Sequence, residues 1–474
     1  MKRRKVLCFG VAAILAVGLL AGCGGSNAED TADAGAAESD GERVLRLGGH
    51  TRMYPGEDEA WEAVAAQFEK ENPGVRVEIN WQGSFDDVAE NIQAAKLAGE
   101  TIDLYSCGAR VIQNSLAPAG ICMDMTELIV PYEERFVDGM LESATVGNKI
   151  WSIPIGSSGT CSFYYNKTMF DELGLEEPTS FEELVEVCTV IKEQKNITPI
   201  LQQGSLSGYW PMWFMETYAQ TSGNQSVENV QAFLSGERTF DTEEEIEAFN
   251  LIKRFFDEGL IDSDSLNTDA DGMRAAFSQE KSAIFFGGTW EYTNVEEVVG
   301  DSFEIGVFEF PVMVEGVEAQ HGGGCGTSLF IPTFCDKDNF DLIMKFVEVV
   351  TRPEFAGPII EAAGPIIPSI QGVEAAGTTE GMTNFIRDIN ENHAKHIVTY
   401  LDWIWPSEIN DIVAQAIPAV GTGNITSEEA VAQIQSTYDR LVTEGYQYDW
   451  WSSWTDEQWA EVTPATIPES YADQ

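Results

Sequence analysis

The stretch Gly147 to Glu183, GNKIWSIPIGSSGTCSFYYNKTMFDELGLEEPTSFEE, decides how this chain is organised. Trp151, Ile153 and Ile155 alternate with Ser152, Pro154 and Gly156, the two-residue period of a half-buried strand. The polar run Gly156-Ser157-Ser158-Gly159-Thr160 can bend, and Phe163-Tyr164-Tyr165 then resumes an apolar segment up to a turn at Asn166-Lys167. Ser180, with Glu183 three residues on, marks a helix start with a capping box. Strand, polar joint, strand and capped helix describe a chain crossing from one lobe to another. The same pattern also fits a hairpin inside a single domain.

Several of these residues carry a resemblance. The stretch is similar to bacterial extracellular solute-binding proteins of the sugar-binding, maltose-binding-protein-like family. There a Y-x-x-P strand, a YYNK-x-x-F-x-x-x-G segment and a P-x-[TS]-[WF]-x-E-L helix start mark the first crossing between lobes. The matches are Ile153-Pro154, Tyr164-Tyr165-Asn166-Lys167, Phe170, Gly174, Pro178, Ser180-Phe181 and Glu183-Leu184. Further on, Phe277 to Trp290 (FSQEKSAIFFGGTW) resembles the family's helix, strand and glycine turn presenting a tryptophan, with Glu280-Lys281 where Gly-Lys is common. Gly322-Gly323-Gly324 and Leu329 to Pro332 look like the return crossing, and Gly364 to Pro368 like the third. Leu342 to Val350 matches a family helix, and Thr426 with Glu429 matches the capped start of another.

This resemblance spans Leu45 to about Gly445. It implies an α/β, periplasmic-binding-protein-like fold: two lobes, each a mostly parallel sheet covered by helices, joined by a three-crossing hinge. The boundaries it implies are 43–155 with 327–363 for the first lobe and 156–326 with 364–445 for the second. Residues 446–474 lie beyond the shared pattern. That tail carries Trp450, Trp451, Trp454 and Trp459 and is expected to dock on the body, since four tryptophans in a free tail would expose a large apolar surface.

Lys2, Arg3, Arg4 and Lys5 precede the apolar run Val6 to Leu20, which ends in Leu20-Ala21-Gly22-Cys23. A basic start, a short apolar segment and small residues before the cut form a secretory signal over residues 1–22. The run is shorter than the roughly 20 apolar residues a spanning helix needs. Cysteine after Leu-Ala-Gly resembles a lipoprotein lipobox, which implies lipidation at Cys23 and attachment to the bacterial cell membrane through that anchor only. Residues 23–42 are small, polar and acidic, too poor in apolar side chains to fold, and are expected to be a flexible tether.

In the body, Val44 to Leu47, Val75 to Ile79 and Ile102 to Tyr105 have strand character, and the intervening Ala60, Trp61, Val64, Ala65 and Phe68 recur at helical spacing. Strand–helix alternation with short joints points to a parallel sheet, whose ligands bind beyond the carboxyl ends of the strands. That puts His50 to Glu57 (with Tyr54 and Glu57), Trp81 to Ser84 and Ser106 to Arg110 on one rim. Trp81 suits a core position as well as a ligand position.

Acidic residues number 78 against 27 basic, a formal charge of −51. Loss of the leader removes four more positives. Such a body repels nucleic acid and anionic membranes. Six cysteines remain beyond Cys8 and Cys23, none at C-x-x-C spacing, so a zinc or redox site has no motif; disulfides and buried thiols both stay open. His393 and His396 lie one helical turn apart but lack a third ligand in view. No nucleophile elbow, H-E-x-x-H or phosphate loop occurs, and neither a cofactor nor a metal is expected.

The resemblance implies a lipid-anchored, monomeric, extracytoplasmic binder that hands a small solute, a sugar or oligosaccharide, to ABC permease subunits and is not an enzyme. By the family pattern Trp290, Tyr209 or Trp210, and Trp403 or Trp405 are ring platforms, while Ser106, Arg110, Thr160 and Gly324 supply polar contacts. Flat aromatic rings suit the C–H face of a sugar, and polar groups its rim. Ser106, Ala109 and Thr160 replace residues typical of maltodextrin-binding relatives, which argues against maltodextrin. A peptide or polyamine solute, a secreted lyase or hydrolase, and a glycan adhesin remain the alternatives.

Overall fold

The computed structural model describes residues 42–52, 56–84, 87–137, 140–205, 208–261, 263–317, 320–362, 367–373, 383–384, 387 and 397–464. The expected lipidation site Cys23, the tether up to Gly41, Tyr54, His393, His396 and most of the third crossing lie outside the described residues. No helix among the described residues is long and apolar enough to cross a membrane.

The first sheet is built from β1 (Arg43–Gly49), β2 (Val75–Trp81), β3 (Leu104–Cys107) and β4 (Ile153–Pro154). Helix α1 (Glu57–Glu71) joins β1 to β2 and buries Trp61, Val64 and Phe68, the face that the helical spacing selects. Its first turn carries Glu57, Asp58 and Glu59 and its last Lys70, charges of the sign the helix dipole favours at each end. Helix α2 (Val88–Ala98) joins β2 to β3. After β3 the chain makes a short α-turn, Ala109–Val111, that runs directly into a π-helical turn, Ile112–Leu116.

The second sheet is organised around β5 (Ser157–Asn166), the long strand inside the quoted stretch. Helix α3 (Phe181–Lys195) then starts at the expected capping box: the Ser180 hydroxyl accepts from the Glu183 amide at 3.3 Å, and the Glu183 carboxylate accepts from the Ser180 amide. Next come β6 (Thr198–Ile200), α4 (Trp210–Thr221), α5 (Glu243–Asp257), β7 (Ser282–Gly288), β8 (Ile305–Phe308) and β9 (His321–Cys325). β10 (Ser328–Phe330) and helices α6 (Phe340–Val350) and α7 (Pro353–Ala362) rejoin the first core, and β11 (Ile367–Pro368) and β12 (Ile397–Thr399) the second sheet. Helices α8 (Ser407–Gly421) and α9 (Ser427–Thr443) pack on α5, and α9 starts at the expected Thr426–Glu429 capping box.

Strand order is β2-β1-β3-β10-β4 in the first sheet and β12-β9-β5-β7-β6 in the second, with β8 and β11 also on β5. β1 pairs in parallel with β2 and β3, and β6 with β7, as strand–helix alternation demands. The strands that carry the chain between sheets behave differently. β10 pairs antiparallel with β3 and β4 in the first sheet, and β5 pairs antiparallel with β7 and β9 in the second, because β10 and β5 each enter from the opposite lobe. The chain passes from sheet to sheet between β4 and β5, and back between β9 and β10.

Two large cores result. One gathers Trp61, Phe68, Ile153, Leu329 and Phe346. The other is rich in rings: Phe163 at the middle of β5 lies 5.1–5.7 Å, centroid to centroid, from Trp213, Phe286, Phe308 and Phe310. All six cysteines of the body are buried and unbridged. Burial pushes their thiols up, Cys188 to about 12, so they pack as small apolar side chains.

The tail docks, and on the lobe that does not precede it. Tyr446 and Tyr448 pack against the second core, whereas Trp450, Trp454, Trp459 and Val462 join the first lobe around Trp151. Trp151 is fully buried, with the three tail rings 5.5, 6.1 and 6.3 Å away, and the Asp124 amide donates to the Val462 carbonyl at 2.8 Å. The chain therefore passes between the lobes once more after α9, a passage that the assignment of 446–474 as a tail did not foresee.

Candidate functional site

On the first lobe the carboxyl ends of β1, β2 and β3 meet around one arginine. The Arg52 guanidinium, whose side chain is 1 % exposed, donates to Glu57 at 3.1 Å, to the Ser106 hydroxyl at 3.2 Å and to the His50 carbonyl at 2.7 Å. It lies 4.1 Å from the centre of the Trp81 ring, and Trp61 meets that ring edge-on at 5.7 Å. Burial and the neighbouring Arg52 hold His50 down to about 3, so its imidazole is neutral. This corrects two expectations. Glu57 and Ser106 are buried behind the rim, where they hold Arg52, and are not open contacts. Trp81 remains half-exposed, with one face taken by the guanidinium.

The second lobe presents an aromatic row. Trp290 follows β7 by one residue, as the glycine turn predicts, and stays partly exposed. Its indole N–H donates to the Tyr209 hydroxyl at 2.9 Å; Tyr209 donates to Glu291 at 2.8 Å; and Arg274 holds Glu291 at 2.8 Å. This relay sets the tilt of the indole. Tyr400, 6.4 Å from Trp290 and 5.4 Å from Trp403, carries the row inward, since Tyr400 and Trp403 are buried at 4 % and 9 % exposure in the second core. Trp403 lies flat against the crossing strand only because residue 324 is glycine: a Cβ there would stand 2.3 Å from its ring. Of the paired alternatives, half-buried Tyr209 and Trp403, 9 % exposed where it lines the cavity between the lobes, still reach open space. Trp210 and Trp405 do not. They are 1 % and 0 % exposed, their indoles donating to Gly204 and Asn410 inside the second core, which corrects any ligand role for either.

Between the lobes, Arg110 faces Asp402 at 3.7 Å, and the Asn114 amide donates to the carbonyls of Asp402 and Trp405 at 3.2 and 3.1 Å. The π-helical turn after β3 places Asn114 there. Burial raises the Asp402 carboxyl to about 6, against the pull of Arg110. Ala109 itself packs with the second core, so the lobes are in contact beside the rims.

Thr160, a polar contact the resemblance implies, is joined by three residues that carried no signal in the sequence beyond following a strand. Thr160, Gln202, Gln203 and Thr289 are buried, yet the Thr160 and Thr289 hydroxyls and both ends of the two amides lack a hydrogen-bond partner among the described residues. They sit at the carboxyl ends of β6 and β7 and the amino end of β5, which is the same rim. An unmet buried polar group costs roughly 1–3 kcal/mol, so four side chains together mark a place where polar groups from outside are expected. No cluster of His, Cys, Asp or Glu among the described residues could hold a metal.

Two lobes joined by several crossings, with the carboxyl ends of their strands turned toward one another, have the geometry of a two-lobed binding protein. The chain belongs to the bacterial extracellular solute-binding protein family, whose model matches residues 54–356. By its description that family comprises extracellular solute-binding proteins. It is 24 % identical over 275 residues to a multiple sugar-binding protein of Streptococcus mutans, an alignment spanning 56 % of this chain and 62 % of that relative. It is 23 % identical over 317 residues to the sn-glycerol-3-phosphate-binding periplasmic protein UgpB of Escherichia coli, covering 62 % of this chain and 68 % of that one. Among solved structures, a chitin oligosaccharide binding protein superposes with a TM-score of 0.71 at 21 % identity, over 84 % of this chain and 99 % of its own. The binding protein RafE in complex with raffinose gives 0.67 at 19 %, over 84 % and 99 %.

Proposed function

We propose that the protein is a lipid-anchored solute receptor that captures a sugar or oligosaccharide by hinge closure and delivers it to an ABC permease. The observation carrying this reading is the second-lobe rim, where the partly exposed Trp290, backed by the buried rings of Tyr400 and Trp403, stands beside Thr160, Gln202, Gln203 and Thr289, whose polar groups lack partners among the described residues. Rings for C–H faces and unmet amides and hydroxyls for ring oxygens and hydroxyls are what a sugar requires. A phosphate-bearing solute, as the name of UgpB suggests for that relative, fits less well: Arg52, Arg110 and Arg274 each face a carboxylate, Glu57, Asp402 and Glu291. The surplus of acids across the chain works in the same direction.

A thermal-shift screen against neutral sugars, amino acids, polyamines and glycerol phosphate tests the reading. A ligand bound only by the native state stabilises it by about 2.7 kcal/mol at a hundredfold excess over Kd. Neutral sugars are expected to raise the melting temperature and to be recovered unchanged. A shift with amino acids, polyamines or glycerol phosphate alone would defeat the sugar assignment. For the anchor, Cys23→Ser should release an intact, binding-competent body into the medium. A variant still firmly membrane-bound would defeat attachment through Cys23.

A further inference from the structure

Beyond the Arg110–Asp402 contact the lobes part again around a cavity of about 1310 Å3. Its walls come from three places: the first lobe with Gln113 and Gly147, the second with Gln231 and Asp411, and the C-terminal segment from Tyr446 to Trp451. It meets the proposed solute site at Trp403 and Gly324, which border both. We propose that this chamber is a second binding region, continuous with the cleft and walled by the Trp-rich tail, that takes the extension of a neutral oligosaccharide. The proposal rests on the sugar-binding reading and adds where a longer ligand goes.

Three features select that occupant. Volume comes first: small-molecule pockets run to about 300–1,000 Å3, so this one exceeds what a monosaccharide needs. Chemistry comes next. The lining combines rings (Trp403, Tyr448, Trp451), amides (Gln113, Gln231, Gln447) and the carboxylates of Glu228, Glu408 and Asp411, with no lysine, arginine or histidine among the described residues. Rings and amides suit a polyhydroxyl chain, and the three carboxylates repel phosphates and uronates. The third feature is rigidity. Trp451 lies over Gly147, a left-handed residue at φ 60° where a Cβ would come within 2.6 Å of the indole. The neighbouring Trp450 is fixed against Trp151. A ring held in this way can stack on a ligand without first losing its own freedom. The chamber's C-terminal wall, Tyr446 to Trp451, lies beyond residue 356, where the family model's match ends.

The test is titration calorimetry on the full-length chain with neutral gluco-, xylo- and chito-oligosaccharides, from monosaccharide to hexasaccharide. Affinity is expected to rise with length. Trp451→Ala should remove about tenfold or more of the affinity gained by the longest ligand, the loss of one stacked aromatic surface, and leave the shortest binding ligand unchanged. Gln231→Ala, an exposed helix position with little bearing on folding, should trim the same increment by less. Affinity that is flat with length in the wild type overturns the chamber and leaves the solute-binding reading standing. The chamber also falls if both variants leave the long-ligand increment intact, or if they weaken all lengths equally. Absence of binding by any neutral sugar at any length overturns both readings together.

Discussion

Trp290 and Trp210 show what a single residue's sequence position can and cannot reveal. Trp290 was legible because a glycine turn follows a fully buried strand, and the next large side chain has to emerge at the rim. Tyr209 and Trp210 are neighbours at a helix start, as Trp403 and Trp405 are near another, and only packing decides which of each pair turns inward. Gln202 and Gln203 carried no signal at all, since their meaning lies in the partners they lack. Truncation of Trp290 to alanine should weaken sugar binding by about 1–3 kcal/mol, the transfer term for one large apolar side chain. Stability without ligand should fall by less than the roughly 3–5 kcal/mol of a core tryptophan. Calorimetry and a denaturant melt on the same variant separate these. A large loss of stability with affinity intact would make Trp290 a core residue. Asp402 allows a second forecast at this scale. Its carboxyl rises from the ordinary 3.8 to about 6 in the folded protein. The folded state therefore binds the extra proton between those values, and this group's contribution to stability declines as pH rises from about 4 to 6. Asp402→Asn should lack that decline, a difference of at most about 3 kcal/mol between pH 4 and 7. Parallel pH–stability curves for the two proteins would rule it out.

At the scale of the element, local rules did well wherever the determinant was local. Both capping boxes formed at the positions their spacing selects, and α1 buried the face its period marks. The mixed pairing of the second sheet was not legible, because it follows from which lobe a strand enters from. Nor was the destination of the C-terminal segment: four tryptophans announce that it docks, not where. Trp151 supplies the other half of that contact from some 300 residues earlier in the chain, and no local pattern links the two. Ending the chain after Gly445 should strip three rings from Trp151 and cost the first lobe about 3 kcal/mol, the value of keeping one large aromatic out of water. Trp151 emission should shift to longer wavelength at the same time. A truncated chain with unchanged stability and emission would show that the segment merely rests on the surface.

For the whole molecule, the question is what holds two lobes together before a ligand bridges them. Among the described residues, the polar contacts that cross beside the rims include Arg110 with Asp402 and two hydrogen bonds from Asn114 to the backbone of 402 and 405. Each hydrogen bond contributes about 1 kcal/mol net, and the partly exposed ion pair adds less than a buried one would. A latch of that size biases a hinge without locking it, leaving room for a ligand's differential affinity to complete closure. Asn114→Ala removes both hydrogen bonds while keeping the first-lobe core intact, since residue 114 lies on the surface of the π-helical turn at the lobe boundary. Loss of roughly 1–2 kcal/mol from the closed state should lower apparent affinity by about tenfold. In solution scattering the ligand-free variant should have a larger radius of gyration than the ligand-free parent, and the two should converge at saturation. Convergence matters because a ligand in excess drives either protein to the same enclosed form, whereas a variant damaged in its site would stay expanded. Identical ligand-free profiles, together with unchanged affinity, would mean that Asn114 does not contribute to closure and that the lobes are held by the crossings and the tail alone.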